Sequence, residues 1–268
     1  MKEFIVRTAT ALLLASVTYA GIVYLPDVYF SIFVFIVISI SVYEFFKLAK
    51  PESGSLILVF LNGLLIALFF TFGFPKLLLV FFINLFSFGL YFLITINNDK
   101  LLRSFVRDFG IHILSVFYLF FPLYFLFRLR ELGPNVLLFL IFVIAIGDSG
   151  AYFIGRAIGK HKIYPIASPN KSLEGIIAAF ITAGLSGWLS IKIFPIEINI
   201  ITAVLTGAII GLISQLSDPV ESLFKRSAGK KDSGSILPGH GGFLDRIDSY
   251  IFCAPSLYFL VLYFWKIA

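Results

Sequence analysis

The sequence predicts an all-α, polytopic integral membrane protein with about nine transmembrane helices and its N-terminus in the cytoplasm. Three observations carry that prediction. Hydrophobic residues make up 59% of the 268 positions and charged residues only 13%, with a mean hydropathy of +1.00, a balance foreign to soluble domains. The apolar residues gather into runs close to the ~20 residues that a helix needs to cross a hydrocarbon core. Lysines and arginines fall in the connections between those runs, and mostly in alternate ones.

In chain order the runs lie near Thr8 to Leu25, Val28 to Phe46, Ser55 to Phe72, Leu77 to Ile96 and Phe109 to Phe127, then Val136 to Ile154, Gly175 to Ile193, Ile198 to Leu216 and Tyr250 to Trp265. Single runs of this kind must be helical in lipid, because each segment has to satisfy its own backbone. The first, preceded by Lys2 and Arg7, resembles a signal peptide, with Thr18-Tyr19-Ala20 faintly like a cleavage site. Its length and the spans that follow favour a retained first helix. Turn signals separate the runs at Pro26-Asp27, Pro51 to Gly54, Gly73 to Pro75, Asn97 to Asp99, Gly133 to Asn135 and Pro195.

With the N-terminus inside, 16 of the 21 lysines and arginines fall on the cytoplasmic side. The other five, Lys76, Arg128, Arg130, Lys192 and Lys266, fall opposite, as the excess of positive charge on cytoplasmic loops requires. The net charge of +6 is therefore an orientation signal, and no nucleic-acid partner is needed to explain it. The single cysteine, Cys253, lies inside the last run. No disulfide framework or thiolate zinc site is available.

Charge divides the chain in two. Residues 1–132 read as a scaffold of about five helices whose spans hold almost nothing ionisable, His112 being the exception. Residues 133–268 read as a catalytic region of about four helices with cytoplasmic polar loops at 155–174 and 217–249. Asp148 lies well inside the sixth run, and an acid at membrane depth marks a functional site by default. The alternative is an acid at the interface, solvated or paired with Arg156. In the following loop, Ser172 is placed to cap the next helix with Glu174 in its first turn, and Lys171 and nearby backbone amides could surround an anion.

The stretch Ser217 to Ser249 concentrates charge: Lys225, Arg226, Lys230, Lys231 and Arg246 against Asp218, Glu221, Asp232, Asp245 and Asp248. Asp218, followed by Pro219, falls at the predicted C-terminal end of the eighth helix, where the negative end of the helix dipole calls for a cation partner. Asp245 and Asp248, three apart, share a face at the start of the ninth. Converging carboxylates without His or Cys form a hard oxygen site suited to Mg²⁺; helix capping by Asp245 and Asp248 is the alternative. Lysines, arginines and glycines between them complete the parts needed to handle phosphates with magnesium. His240 reads either as a phosphate contact or as a turn residue.

The order Ser222-x-x-Lys225-Arg226, four residues, Lys231-Asp232-x-Gly234, then Leu237-Pro238-x-His240-Gly241-Gly242-Phe243-x-Asp245-Arg246-Ile247-Asp248 resembles the signature of the phosphatidate cytidylyltransferases, or CDP-diacylglycerol synthases. The resemblance extends along the chain, with its motifs in the second half. It implies that CTP and phosphatidic acid give CDP-diacylglycerol and pyrophosphate, with Mg²⁺ required, at the cytoplasmic face of the inner membrane. It also implies homodimers and a polar cavity open to cytoplasm and lipid.

On that basis Asp218, Asp245 and Asp248 are assigned to the metal, and Lys225, Arg226 and Lys231 to phosphates. Asp148, Lys171, Ser222, Asp232, His240, Gly241, Gly242 and Arg246 are assigned to substrate. A further cation beside Mg²⁺ is left open. Two rivals remain: a CTP-dependent polyprenol kinase, which would attack the γ-phosphorus, and a secondary transporter for an anion.

Overall fold

The computed structural model describes residues 2–72, 77–237 and 241–265. His240, Lys76, Lys266 and the predicted turn at 73–75 lie outside the described residues. The chain is helical almost throughout: α1 (Lys2–Tyr24), α2 (Asp27–Ala49), α3 (Leu56–Phe72), α4 (Leu77–Thr95) and α5 (Asp99–Leu114) come first. A π-helical stretch (Ser115–Phe120), α6 (Phe121–Leu123) and α7 (Phe125–Leu132) continue α5, followed by α8 (Pro134–Ile158), α9 (Leu173–Ile193), α10 (Ile200–Ser227) and α11 (Leu244–Phe264).

Seven helices among the described residues are long and apolar enough to cross a membrane. The apolar segments Thr10–Tyr24 and Leu56–Phe72 are shorter; the 17 residues of α3 rise about 26 Å, just under the ~30 Å of a hydrocarbon core. The chain is therefore an all-α polytopic membrane protein. The short strands β1 (Lys162–Tyr164) and β2 (Ser168–Ser172) form an antiparallel hairpin with Lys162 opposite Ser172, where only a polar loop was expected. Strands of three and five residues leave no readable alternation.

One helix boundary in the polar stretch differs from the sequence reading. Asp218 does not end its helix: α10 runs on through Pro219 to Ser227. Proline lacks the N–H that would bond the carbonyl of residue 215, and Lys171 Nζ, from β2, donates to that carbonyl at 3.0 Å. A side chain thus takes over the orphaned acceptor. The 28 residues of α10 rise about 42 Å, so its last turns outreach a ~30 Å core. α11 starts at Leu244, so Asp245 and Asp248 both lie in its opening turns, as their spacing predicts.

The chain packs as two compact units, residues 1–13, 25–127 and 232–245 in one, and 14–24, 128–231 and 246–268 in the other. The first has an aromatic interior in which His112 meets Phe46, Phe88 and Phe92 edge-on. His112 Nε2 accepts from the Ser55 amide at 3.1 Å, and Asp108 from the Ser53 amide at 2.8 Å. His112 is thus a packed, hydrogen-bonded residue that fastens the α2–α3 connection to α5. Where Pro122 interrupts the backbone bonding, the preceding turn widens and the Phe121 amide bonds Val116.

The second unit is built on α8, α9 and α10, which approach closely along small residues. A Cβ at Gly207 would lie 2.4 Å from the Ala183 carbonyl, and one at Gly187 2.3 Å from that of Ala203. Such seams replace the hydrophobic drive that lipid cannot supply with close van der Waals contact. They hold the polar ends of these three helices in register.

Candidate active site

Three helices and the hairpin bring the polar residues of the second unit together. Asp148, half-buried on α8, accepts from Ser214 Oγ at 2.9 Å and Gln215 Nε2 at 2.7 Å, both on α10. Arg156, its expected alternative partner, instead donates to the Tyr152 hydroxyl at 2.9 Å. One turn along α10, Asp218 is held from two sides. Its Oδ2 pairs with Lys171 Nζ at 3.0 Å, and its Oδ1 accepts from Ser249 Oγ at 2.6 Å.

Ser249 follows Asp248 on α11, and Ser217 Oγ donates to the Asp248 carbonyl at 2.5 Å. The Asp248 carboxylate accepts from the Ser249 amide at 2.8 Å. Adjacent serines on facing helices thus lock α10 to α11 at the level of two acids. Asp218 acts electrostatically on both Asp148 and Asp248, and Glu221 and Lys225 act on Asp248 as well. One turn further, Glu221 and Lys225 form an ion pair at helical i,i+4 spacing, with side chains 1% and 10% exposed.

The cluster therefore sets four carboxylates, Asp148, Asp218, Glu221 and Asp248, against two lysines, Lys171 and Lys225. Four carboxylates close together in a partly buried site suit a divalent cation, which would offset their repulsion. Among the described residues, no three His, Cys, Asp or Glu side chains form a group that could hold a metal ion by themselves. Mg²⁺ ordinarily needs only one or two carboxylates beside water and substrate phosphates, and Asp218 and Asp248 suit that role.

The hairpin that delivers Lys171 is itself anchored. Ser172 caps α9, accepting from the Gly175 amide at 3.3 Å, as the sequence predicts. Glu174 accepts from the Lys160 amide at 3.2 Å and pairs with His161 at 2.6 Å. Arg226, Lys230, Lys231 and Arg246 are exposed, and Ser222 is half-buried. Arg226 donates to the Lys230 carbonyl at 3.3 Å, folding the turn at Gly229, whose φ of 68° suits glycine.

In the first unit, Asp245 Oδ2 accepts from the Ser233 amide at 3.0 Å and the Gly242 amide at 2.9 Å. It thereby closes the base of the glycine-rich segment. Gly241, at φ 81°, bonds its carbonyl to the Leu237 amide at 3.0 Å, and Asp232 is exposed. Glu44 Oε2, from α2, accepts from the Leu244 amide at 2.8 Å and Ser233 Oγ at 3.2 Å.

Sequence reasoning passed over Glu44, Gln215 and Ser249 and gave Glu221 no role beyond its charge. Glu44 could have been found, since an acid inside an apolar run is the same signal that singled out Asp148. The Glu221–Lys225 pair was legible as i,i+4 spacing. Gln215 and Ser249 carried no signal, being ordinary polar residues until their partners are known.

Comparison with known proteins points to one family. The sequence model of the Cytidylyltransferase family matches residues 5–264. Over 150 residues the chain is 40% identical to a phosphatidate cytidylyltransferase of Staphylococcus haemolyticus (strain JCSC1435). It is 38% identical over the same length to one of Staphylococcus aureus (strain COL). These matches cover 56% of this chain and 58% of each relative, so the chain spans a little over half the length of the curated relatives it matches. With nearly its whole length, residues 5–264, matched by one family model, the chain belongs to the Cytidylyltransferase family.

Proposed function

We propose that the protein is a CTP:phosphatidate cytidylyltransferase of the cytoplasmic membrane, working at its cytoplasmic face. The observation that carries the reading is the cluster of Asp148, Lys171, Asp218, Glu221, Lys225 and Asp248 where three membrane-crossing helices meet the hairpin. A lipid substrate keeps its chains among those helices while its phosphate reaches the cluster. The nine-span arrangement with the N-terminus inside, supported by the distribution of lysine and arginine, puts the cluster on the cytoplasmic side.

In the reaction, a phosphate oxygen of phosphatidate forms a bond to the α-phosphorus of CTP while the bond to the α,β-bridging oxygen breaks and pyrophosphate departs. The attacking oxygen is already anionic near neutral pH, because a phosphomonoester has a second pKa of ~6. The protein therefore needs no strong base. Its residues bring two anionic reactants together and stabilise the charge that moves to the leaving group.

Bound Mg²⁺ would neutralise phosphate charge. Asp218 and Asp248 would hold it, with Asp148 orienting α10 through Ser214 and Gln215. Lys171 and Lys225 supply fixed positive charge beside the phosphates, and exposed Arg226 and Lys231 draw CTP toward the site. Asp245 holds the glycine-rich segment, whose Gly241 and Gly242 allow close backbone approach. A homodimer is part of the proposal, on family likeness alone.

The test is an assay of purified protein with phosphatidate and CTP labelled at the α- or γ-phosphate, with and without Mg²⁺. CDP-diacylglycerol and pyrophosphate should appear in equal amounts and only with Mg²⁺. Transfer of the γ-label to a lipid would show a kinase instead, and substrate movement across sealed vesicles without CTP turnover would show a transporter. Asp218→Asn and Asp248→Asn should each insert normally and lose most activity, with strongly non-additive losses.

A further inference from the structure

We infer that Glu44 is a positioning residue that holds Ser233 and Leu244, the residues flanking the signature glycines Gly234 and Gly242, in place from the distant second helix. Glu44 is 2% exposed and lies in an otherwise apolar span, where a carboxylate is costly unless its hydrogen bonds are made. Its Oε2 makes them with two residues 189 and 200 positions away, Ser233 Oγ at 3.2 Å and the Leu244 amide at 2.8 Å. Leu244 is the first residue of α11, and the opening amides of a helix have no partner within it. Glu44 supplies that partner from another helix, with a negative charge at the positive end of the dipole.

The segment is thereby held by two acids. Ser233 gives its hydroxyl to Glu44 and its amide to Asp245, which also takes the Gly242 amide. The glycines beside them answer to the same carboxylate. A Cβ at Gly234 would lie 2.3 Å from Glu44 Oε1, and one at Gly242 2.7 Å from Oε2 and 2.0 Å from Ser233 Oγ. At Gly234 the space of a side chain is thus taken by Glu44 itself, and at Gly242 by Ser233 Oγ and the Gly234 amide nitrogen, at 2.6 Å, before Glu44. Among the described residues Glu44 Oε1 has no hydrogen-bond partner, and it faces Gly234.

The inference rests on the proposed cytidylyl transfer for its kinetic readout alone. Full-length protein in micelles would be compared as wild type, Glu44→Gln, Glu44→Ala, Gly234→Ala and the Glu44→Ala/Gly234→Ala double variant. Backbone hydrogen exchange would be followed at Ser233, Gly242 and Leu244, with steady-state kinetics in CTP. Glu44→Ala should speed exchange at Ser233 and Leu244 at least tenfold and lower kcat by ~10²-fold, the scale of a displacement of about 1 Å at a reacting group. Glu44→Gln, which keeps one acceptor oxygen, should fall between.

Gly234→Ala should lower kcat in the wild type but cost nothing more in Glu44→Ala, since the carboxylate it collides with is gone. Unchanged exchange in Glu44→Ala would overturn the inference, as would equal effects of Gly234→Ala in both backgrounds. If Glu44→Ala does not fold, Glu44→Gln and Gly234→Ala decide it, and wild-type exchange in both refutes it. A wild type that makes no CDP-diacylglycerol refutes the proposed reaction and leaves the exchange measurements to judge Glu44.

Discussion

Replacing Lys171 with methionine tests how the polar cluster is held together. Lys171 Nζ lies 3.0 Å from Asp218 Oδ2 and 3.0 Å from the Gln215 carbonyl that Pro219 leaves without a helical partner. Charge-assisted hydrogen bonds contribute about 1.5–3 kcal/mol, and stripping one partner from a fully buried pair costs about 3–5 kcal/mol. Here the two side chains are 16% and 27% exposed, so water recovers part of the loss. Lys171→Met should destabilise by about 2–3 kcal/mol.

The contribution of the carbonyl can be isolated with Pro219→Ala, which returns an amide N–H to the helix. In the wild type that amide competes with Lys171; in Lys171→Met it meets an acceptor with no other partner. The gain in helix propensity is common to both backgrounds and cancels. Pro219→Ala should therefore stabilise Lys171→Met by about 1 kcal/mol more than it stabilises the wild type. Unfolding of the four proteins in micelles measures the difference. Wild-type stability in Lys171→Met, or a coupling of zero, would refute the claim that the lysine substitutes for the missing backbone bond.

Three other outcomes are expected. Glu221→Gln or Lys225→Met alone should cost about 3–5 kcal/mol by stranding a buried charge, whereas the double variant should recover most of it; additive losses in unfolding experiments would count against the pair. Gly207→Ala should force α9 and α10 apart, because its Cβ would lie 2.4 Å from a backbone oxygen, whereas Gly89→Ala, with nothing within 4 Å, should be neutral or stabilising by up to about 1 kcal/mol. Thermal unfolding that ranks the two equally contradicts the close seam. In a Cys253→Ser background, cysteines placed at Asn97 or Gly229 should react with an impermeant maleimide from the cytoplasmic side and those at Gly133 or Glu197 from the other; labelling of Gly133 and Gly229 from one side would overturn the proposed topology.

The sequence by itself determined the class of fold, because a bilayer admits few solutions for repeated apolar runs of about 20 residues, and helices are the one that a single run can reach alone. It also singled out Asp148, Asp218 and Asp248 as candidates for the site, since charge is too costly in such a chain to be incidental, and it placed Ser172 as a cap because capping is a local matter. What it left open is which groups meet. Asp148 finds Ser214 and Gln215 66 and 67 residues away, and Lys171 finds Asp218 at a separation of 47. Glu44 finds Leu244 at 200.

Helical periodicity names the face on which a residue lies, but the identity of the facing helix depends on the fit of side chains along seams such as Gly207 against Ala183. The course of α10 past Pro219 makes the same point. Locally a proline disfavours a helix, but here a lysine delivered by a separate hairpin takes the orphaned carbonyl and α10 continues, carrying Glu221 one turn and Lys225 two turns beyond Asp218. Tertiary structure alone decided that step, because the missing hydrogen bond is replaced from a part of the chain that no local rule could connect to it.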